Sequence, residues 1–170
     1  VTPIPGVLPF LETGTARLDN LPTALGADRL ITPDISYITT MLANGGSLQQ
    51  ALNQGQPLST EQIVDWGIQL FGTLDAVHKE GIMHLDVKPA NILEHEDANG
   101  RRIFLADLGT AENARDLPDE EELPTRKFEP QGTPGYVDPQ QRVGLPTIWS
   151  DVYSGAAALW ALRVGEQPFL

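Results

Sequence analysis

Two short runs hold the residues best suited to chemistry: His84-Leu85-Asp86-Val87-Lys88-Pro89-Ala90-Asn91, and Asp107-Leu108-Gly109 further along. Asp86 offers a carboxylate that can take the proton of a hydroxyl. Lys88 offers a positive charge that can offset the charge of a transferring phosphoryl group. Asn91 and Asp107 offer oxygen ligands of the kind Mg²⁺ takes. A lone His-x-Asp would carry no information. The full spacing of His, Asp, Lys-Pro and Asn, followed by Asp-x-Gly, is a pattern unlikely to arise by chance.

Such residues work only if the elements around them bring them together. Ile92 to His95 and Arg101 to Ala106 read as two strands joined by Glu96-Asp97-Ala98-Asn99-Gly100, in which Asn-Gly is a hairpin signal. Asn91 precedes the first strand and Asp107 follows the second, so antiparallel pairing makes the two oxygen ligands meet, as a shared Mg²⁺ requires. Upstream, Thr60 to Lys79 is predicted as a helix. Ser59 and Gln62 form a capping box, and Ile63, Trp66, Leu70, Phe71, Leu74 and Val77 recur at helical spacing. Gly81 is placed to end it in a left-handed cap.

Downstream, Ser150 to Val164 is apolar on most faces and rich in alanine, which predicts a buried helix ended by Gly165. Gly6 to Thr15 reads as a strand, and the β-branched run Ile35 to Leu42 as a buried one. Arg17 to Asp34 is a loop broken by Pro22, Gly26 and Pro33. Ala43-Asn44-Gly45-Gly46 ends the second strand, and Ser47 caps a short helix to Asn53. Thr110 to Gln131, acidic at Asp116 to Glu122, is expected to be mobile. No internal repeat is visible.

The 170 residues suffice for one ordinary domain. A net charge of −12 argues against a nucleic-acid footprint. It suits a solvated acidic surface first and the attraction of basic peptides second. The absence of cysteine excludes disulfides and thiolate metal sites and allows a reducing compartment, so a cytoplasmic location is the expectation. No apolar stretch reaches the ~18 residues of a membrane span. Val1 to Phe10 lacks the basic start of a signal peptide, and the missing initiator Met suggests an excised or processed chain.

From about Ile35 onward the chain resembles the eukaryotic-type protein kinases, specifically the Ser/Thr branch. The likeness rests on His84 to Asn91, on Asp107-Leu108-Gly109 and on Gly132-Thr133-Pro134-Gly135-Tyr136. It implies an α+β fold: a mostly α-helical large lobe (the C-lobe) with a short β-hairpin and part of the small-lobe sheet. Residues 1–42 would be residual small-lobe strands and the approach to the hinge. Residues 43–170 would be a large-lobe segment truncated at its C-terminus. The resemblance makes Asp86 the base for a Ser/Thr hydroxyl of a protein substrate and Lys88 the charge partner of the ATP γ-phosphate. Asn91 and Asp107 become the ligands of Mg²⁺ and its bound ATP. Thr40 falls at the gatekeeper position, the backbone of Met41 to Ala43 would meet adenine, and Leu93 would lie beneath the base. Thr133 would contact Asp86 and Lys88 in the substrate loop. His84 and Asp151 would give structural support. His78 and His95 read as surface or packing residues.

Several departures qualify that expectation. The only lysines are Lys79, Lys88 and Lys127, so the small-lobe lysine that grips the α- and β-phosphates is not in this sequence, and no G-x-G-x-x-G is present. Leu85 stands where the family carries an Arg that pairs with a phosphorylated loop, which puts phosphate-dependent activation in doubt. Leu108 replaces Phe and is expected to keep an apolar contact. Asp138-Pro139-Gln140 replaces Ala-Pro-Glu, so Gln140 cannot form the family's buried ion pair. The expected function is the catalytic segment of a Ser/Thr protein kinase, completed by a small lobe or adjacent domains elsewhere. The alternative is a pseudokinase-like or regulatory protein-binding module with little turnover, and a small-molecule kinase is a weaker third reading.

Overall fold

A computed structural model of the chain describes residues 3–17, 34–55, 57–114 and 132–168. The loop expected between Arg17 and Asp34 and most of the acidic stretch after Thr110, with Thr125 and Lys127, lie outside the described residues. The chain divides into two compact units, Leu8–Leu42 and the combination of Val1–Val7 with Ala43–Leu170.

The smaller unit is an antiparallel ladder of β1 (Phe10–Arg17) with β2 (Asp34–Thr40), running from Phe10 opposite Thr40 to Arg17 opposite Asp34. Its end is closed by the Met41 N–H, which donates to the Pro9 carbonyl at 2.8 Å. The first strand begins later than expected, because Pro5-Gly6 forms a turn in which the Val7 N–H donates to the Ile4 carbonyl at 3.2 Å. The burial expected for the second strand is not found: Ile38 is 70 % exposed and Tyr37 38 %. Among the described residues β2 pairs only with β1.

The larger unit is built around two helices. α2 (Thr60–Lys79) has the predicted bounds, and its capping box is formed: Ser59 Oγ accepts from the Gln62 N–H at 3.2 Å and Gln62 Oε1 accepts from the Ser59 N–H at 3.1 Å. Gly81 follows in the left-handed region at φ 77°, its N–H donating to the His78 carbonyl. α4 (Ile148–Val164) packs on α2 and ends at Gly165 (φ 84°). Its buried face is Ser150, Asp151, Ser154, Gly155, Ala157, Ala158, Ala161 and Leu162, most of them small enough to let α2 approach closely.

The expectation that α4 is buried holds for only one of its faces. Trp149 is 69 % and Trp160 49 % exposed. Tyr153, Ala156, Ala157 and Trp160 line, with Pro168, an open groove of about 480 Å³. The hydrophobic count described a helix with one small-residue face and one aromatic face, and only the first finds a partner among the described residues. No helix among them is long and apolar enough to cross a membrane.

A three-stranded sheet of β3 (Gly46–Ser47), β5 (Ile92–Asp97) and β6 (Gly100–Leu105) lies against these helices, with α1 (Leu48–Asn53) leaving β3 directly. The first hairpin strand is two residues longer than predicted and the second begins and ends one residue earlier; they meet at Asp97 opposite Gly100, so Ala98-Asn99 forms the turn and Gly100 takes the positive φ. The outer edge of β6 is sealed at two points. Gln69 Oε1 accepts from the Ile103 N–H at 2.9 Å, and the Gly6 carbonyl accepts from the Leu105 N–H at 2.8 Å. Gly6 is fixed as glycine twice over: its φ is 79°, and a Cβ there would lie 1.8 Å from Thr73 Oγ1. A small ladder of β4 (Ile82–Met83) with β7 (Glu112–Asn113) completes the unit, with the short α3 (Pro139–Arg142) preceding α4.

Among the described residues the Tyr136 hydroxyl is a buried polar atom left unsatisfied. Tyr136 is 3 % exposed and its hydroxyl has no hydrogen-bond partner. Burial raises the phenol's pKa, because the phenolate is the form that burial disfavours. The unfolded chain then ionises first, so this group's contribution is fully present below the unfolded value of about 10 and is lost as pH rises through the folded one. Tyr136→Phe should raise stability by about 1 kcal/mol at pH 7 and flatten the alkaline fall in stability, read by urea melts at pH 7 and pH 10.5.

Candidate active site

The site starts from a carboxylate in the first turn of α4. Asp151 is fully buried, yet both oxygens are bonded. Oδ2 accepts from the His84 N–H at 2.8 Å and Oδ1 from the Leu85 N–H at 2.7 Å. His78 Nε2, near the end of α2, lies 2.8 Å from Oδ2. His78 therefore corrects the expectation of a plain surface or packing residue, since it ties α2 to the carboxylate that holds the loop. His95 does pack, edge-on to Phe104.

His84 is also fully buried. Its Nε2 is 3.0 Å from the Ala106 carbonyl and its Nδ1 accepts from the Asp86 N–H at 3.3 Å, which defines the tautomer with the proton on Nε2. The imidazole is thus spent on bridging the loop to the residue before Asp107. Thr110 Oγ1 adds a second tie, donating to the His84 carbonyl at 3.0 Å.

Leu85 and Asp107 are the two described non-glycine residues with positive φ, at 63° and 65°. Left-handed backbone at such residues costs on the order of 1–3 kcal/mol and persists only where surrounding bonds over-determine it. Both flank the candidate chemistry. The turn at Leu85 leads into Asp86, whose Oδ2 sits 2.6 Å from Lys88 Nζ and 3.1 Å from Asn91 Nδ2. Its Oδ1 accepts from Thr133 Oγ1 at 2.8 Å, and Thr133 Oγ1 accepts from Lys88 Nζ at 2.8 Å. The structure thus brings Asp86, Lys88, Asn91 and Thr133 into one hydrogen-bonded cluster.

Asn91 is buried, and its amide group donates to the Asp86 carbonyl at 2.9 Å as well as to the carboxylate. That leaves the amide oxygen as the atom able to meet a cation. The Ala106 N–H donates to the Asn91 carbonyl at 2.9 Å at the mouth of the hairpin, so Asn91 and Asp107 stand at adjacent strand ends. Asp107 is exposed and turns one carboxylate oxygen to its own loop, Oδ1 accepting from the Gly109 N–H at 3.2 Å. Among the described residues no three His, Cys, Asp or Glu side chains converge as a metal site. The donor set fits a cation that brings most of its ligands with it, as Mg²⁺ does when it keeps waters and bound phosphates. Leu108 is 41 % exposed, so the apolar contact expected of it is not a buried one.

Met41 lies in the smaller unit, and Ala43 and Leu93 lie in the larger. Leu93 pairs with Ser47 and Phe104 in the sheet. Asn44 binds the hairpin through both amide atoms, donating to the Glu96 carbonyl and accepting from the Glu96 N–H, each at 2.9 Å.

Besides His78, two residues have roles that sequence reasoning missed. Asp138 Oδ2 accepts from Ser150 Oγ at 2.9 Å and from the Gln141 N–H at 3.3 Å, so it caps α3 and joins it to the start of α4. Asp followed by Pro is a helix-start signal that could have revealed the cap. Gln141 is buried, and its Nε2 donates to the Leu85 carbonyl at 2.6 Å. Nothing in the sequence marks that contact, which joins positions far apart in the chain. Gln140 is exposed.

The family model of the protein kinase domain matches residues 27–170. The chain belongs to the protein kinase family and has a kinase-like fold. Its curated relatives are named as Ser/Thr kinases. It is 31 % identical over 155 residues to the serine/threonine-protein kinase mos of Patiria pectinifera, covering 90 % of this chain and 43 % of that protein. It is 32 % identical over 143 residues to PkaA of Streptomyces coelicolor, covering 84 % and 25 %. To PknA of Nostoc it is 34 % identical over 134 residues, covering 78 % and 23 %. The chain thus spans less than half the length of these relatives.

If Asp151 holds the loop, Asp151→Asn should destabilise the protein by about 2 kcal/mol, because an amide NH₂ then faces an N–H that loses its acceptor. Urea denaturation checks this, and an unchanged midpoint would contradict it.

Proposed function

We propose that this chain is the base- and metal-bearing segment of a protein Ser/Thr kinase, transferring the γ-phosphate of ATP to a hydroxyl of a protein substrate. The observation that carries the reading is the Thr133 hydroxyl, held between the Asp86 carboxylate and the Lys88 ammonium. A hydroxyl is bonded there to both the group that would take its proton and the group that would offset phosphoryl charge. A substrate Ser or Thr hydroxyl needs those same partners.

In this reading Asp86 orients the acceptor hydroxyl and takes its proton. A loose transition state asks mainly for position, so an ordinary carboxylate serves. Lys88 offsets charge on the phosphoryl group as it leaves ADP. Asn91 and Asp107 would hold Mg²⁺ against the phosphates, where the ion supplies charge neutralisation. Met41, Ala43 and Leu93 are adenine-contact residues on the family resemblance alone. Residues 1–42 would belong to the small lobe and 43–170 to the large lobe, with the remaining small-lobe parts supplied by sequence outside these 170 residues. Lys79, the one other described lysine, is exposed and paired with Asp75 at 2.6 Å, so it offers no grip on phosphate.

The pseudokinase-like reading draws on Leu85, on Gln140 and on the small-lobe parts absent from this sequence. The bonds of Asp151 and Gln141 to the Leu85 backbone support the first reading instead, because the loop is held without the arginine.

In a full-length protein that turns over, Asp86→Asn should spare Mg²⁺-nucleotide affinity and cut kcat by roughly 10²- to 10⁴-fold. Asp107→Asn should abolish Mg²⁺-dependent nucleotide binding. Isothermal titration and phosphotransfer assays read both, and an unchanged kcat in Asp86→Asn would remove this loop from the mechanism. The isolated 170 residues should show little turnover; robust Asp86-dependent activity from them would refute the division of labour proposed here.

A further inference from the structure

We propose that Gln141 is a positioning residue for the phosphoryl-transfer site. It locks Leu85 in its left-handed conformation and so aims the Asp86 carboxylate. This inference rests on the reading of Asp86 given above, but its structural half can be tested without turnover.

Leu85 is 3 % exposed and held at φ 63°. A buried leucine adopts that conformation only under constraint. Two constraints meet on its backbone. Asp151 Oδ1 accepts from its N–H at 2.7 Å, and Gln141 Nε2 donates to its carbonyl at 2.6 Å. Asp151 bonds the His84 N–H as well. The Leu85 carbonyl is the acceptor of the peptide unit leading into Asp86, so fixing it fixes the direction in which the next side chain leaves.

Gln141 lies in α3, just after the loop that carries Thr133. It therefore couples the two segments that meet at the Asp86–Lys88–Thr133 cluster. The surroundings are shaped around this bond. Gly132 has φ 106°, and a Cβ on it would lie 3.2 Å from the Leu85 carbonyl oxygen and 3.0 Å from Gln141 Nε2. The helix that presents Gln141 is itself fixed by Asp138, which caps it and accepts from Ser150 of α4. Both constraints on Leu85 thus trace back to the start of α4. Neither involves a phosphate group or an arginine.

The test compares Gln141→Met, which keeps length and apolar contact but deletes the donor, with Gln141→Glu, which turns an acceptor toward the Leu85 carbonyl. Backbone NMR of the 170-residue protein reads φ at Leu85 through its amide–Hα coupling. The native protein should report the left-handed value, and both variants should move away from it while α3 keeps its helical signals. In a full-length protein that turns over, Gln141→Met should lower kcat by roughly 10- to 100-fold at unchanged KM for ATP. Adding Leu85→Gly, which adopts positive φ freely, should restore much of that loss. A simple packing role for Gln141 would not be rescued this way. Native coupling at Leu85 in both variants would overturn the inference, as would a kcat loss that Leu85→Gly leaves uncorrected while the double variant stays folded. An inactive parent whose Leu85 still responds to Gln141→Met would count against the kinase reading and leave the positioning contact standing.

Discussion

A single buried carboxylate organises this molecule. Asp151 sits at the start of α4 with no exposure to water and accepts from two consecutive backbone N–H groups and a histidine ring. A buried charge with so many donors is tolerable, whereas the same charge with one donor removed is strongly unfavourable. The loop from His84 to Asn91 inherits its geometry from that requirement. His84 carries it to the hairpin by bonding Ala106, and Leu85 carries it to Asp86 by turning left-handed. Asp86, Lys88, Asn91 and Thr133 then close a cluster whose contacts lie between 2.6 and 3.1 Å.

Leucine at position 85 removes a charged side chain, but the backbone there is held from both sides by polar groups that need no phosphate. Aspartate at position 138 does more than replace a small residue. Its carboxylate caps α3 and takes the Ser150 hydroxyl, so the segment following Thr133 is bonded to the same helix that holds Asp86. Loss of two ion-pairing positions is thereby matched by a set of shorter-range hydrogen bonds.

What the sequence revealed, and what it hid, follows from range. α2 was legible to its bounds, because a capping box, a period of 3.6 and a C-terminal glycine are local signals. The convergence of Asn91 and Asp107 was legible because hairpin topology alone requires it. That Asp86, Lys88, Asn91 and Thr133 cluster was expected from the family resemblance, which brings the loop and Thr133 together. The burial of β2 and of the aromatic face of α4 was misjudged, since apolar composition says nothing about which faces find a partner. His78 and Gln141 were missed because each meets a partner far away in sequence, at Asp151 and Leu85 respectively.

The central claim, that Asp151 clamps the loop presenting Asp86, is tested most directly by hydrogen exchange of individual amides in the native protein. The His84 and Leu85 N–H groups lie in a segment without regular secondary structure. If the clamp is real, they should exchange as slowly as the amides in the middle of α2, through global opening only. Exchange of those two amides at the rate of an ordinary surface loop, while α2 stays protected, would contradict it.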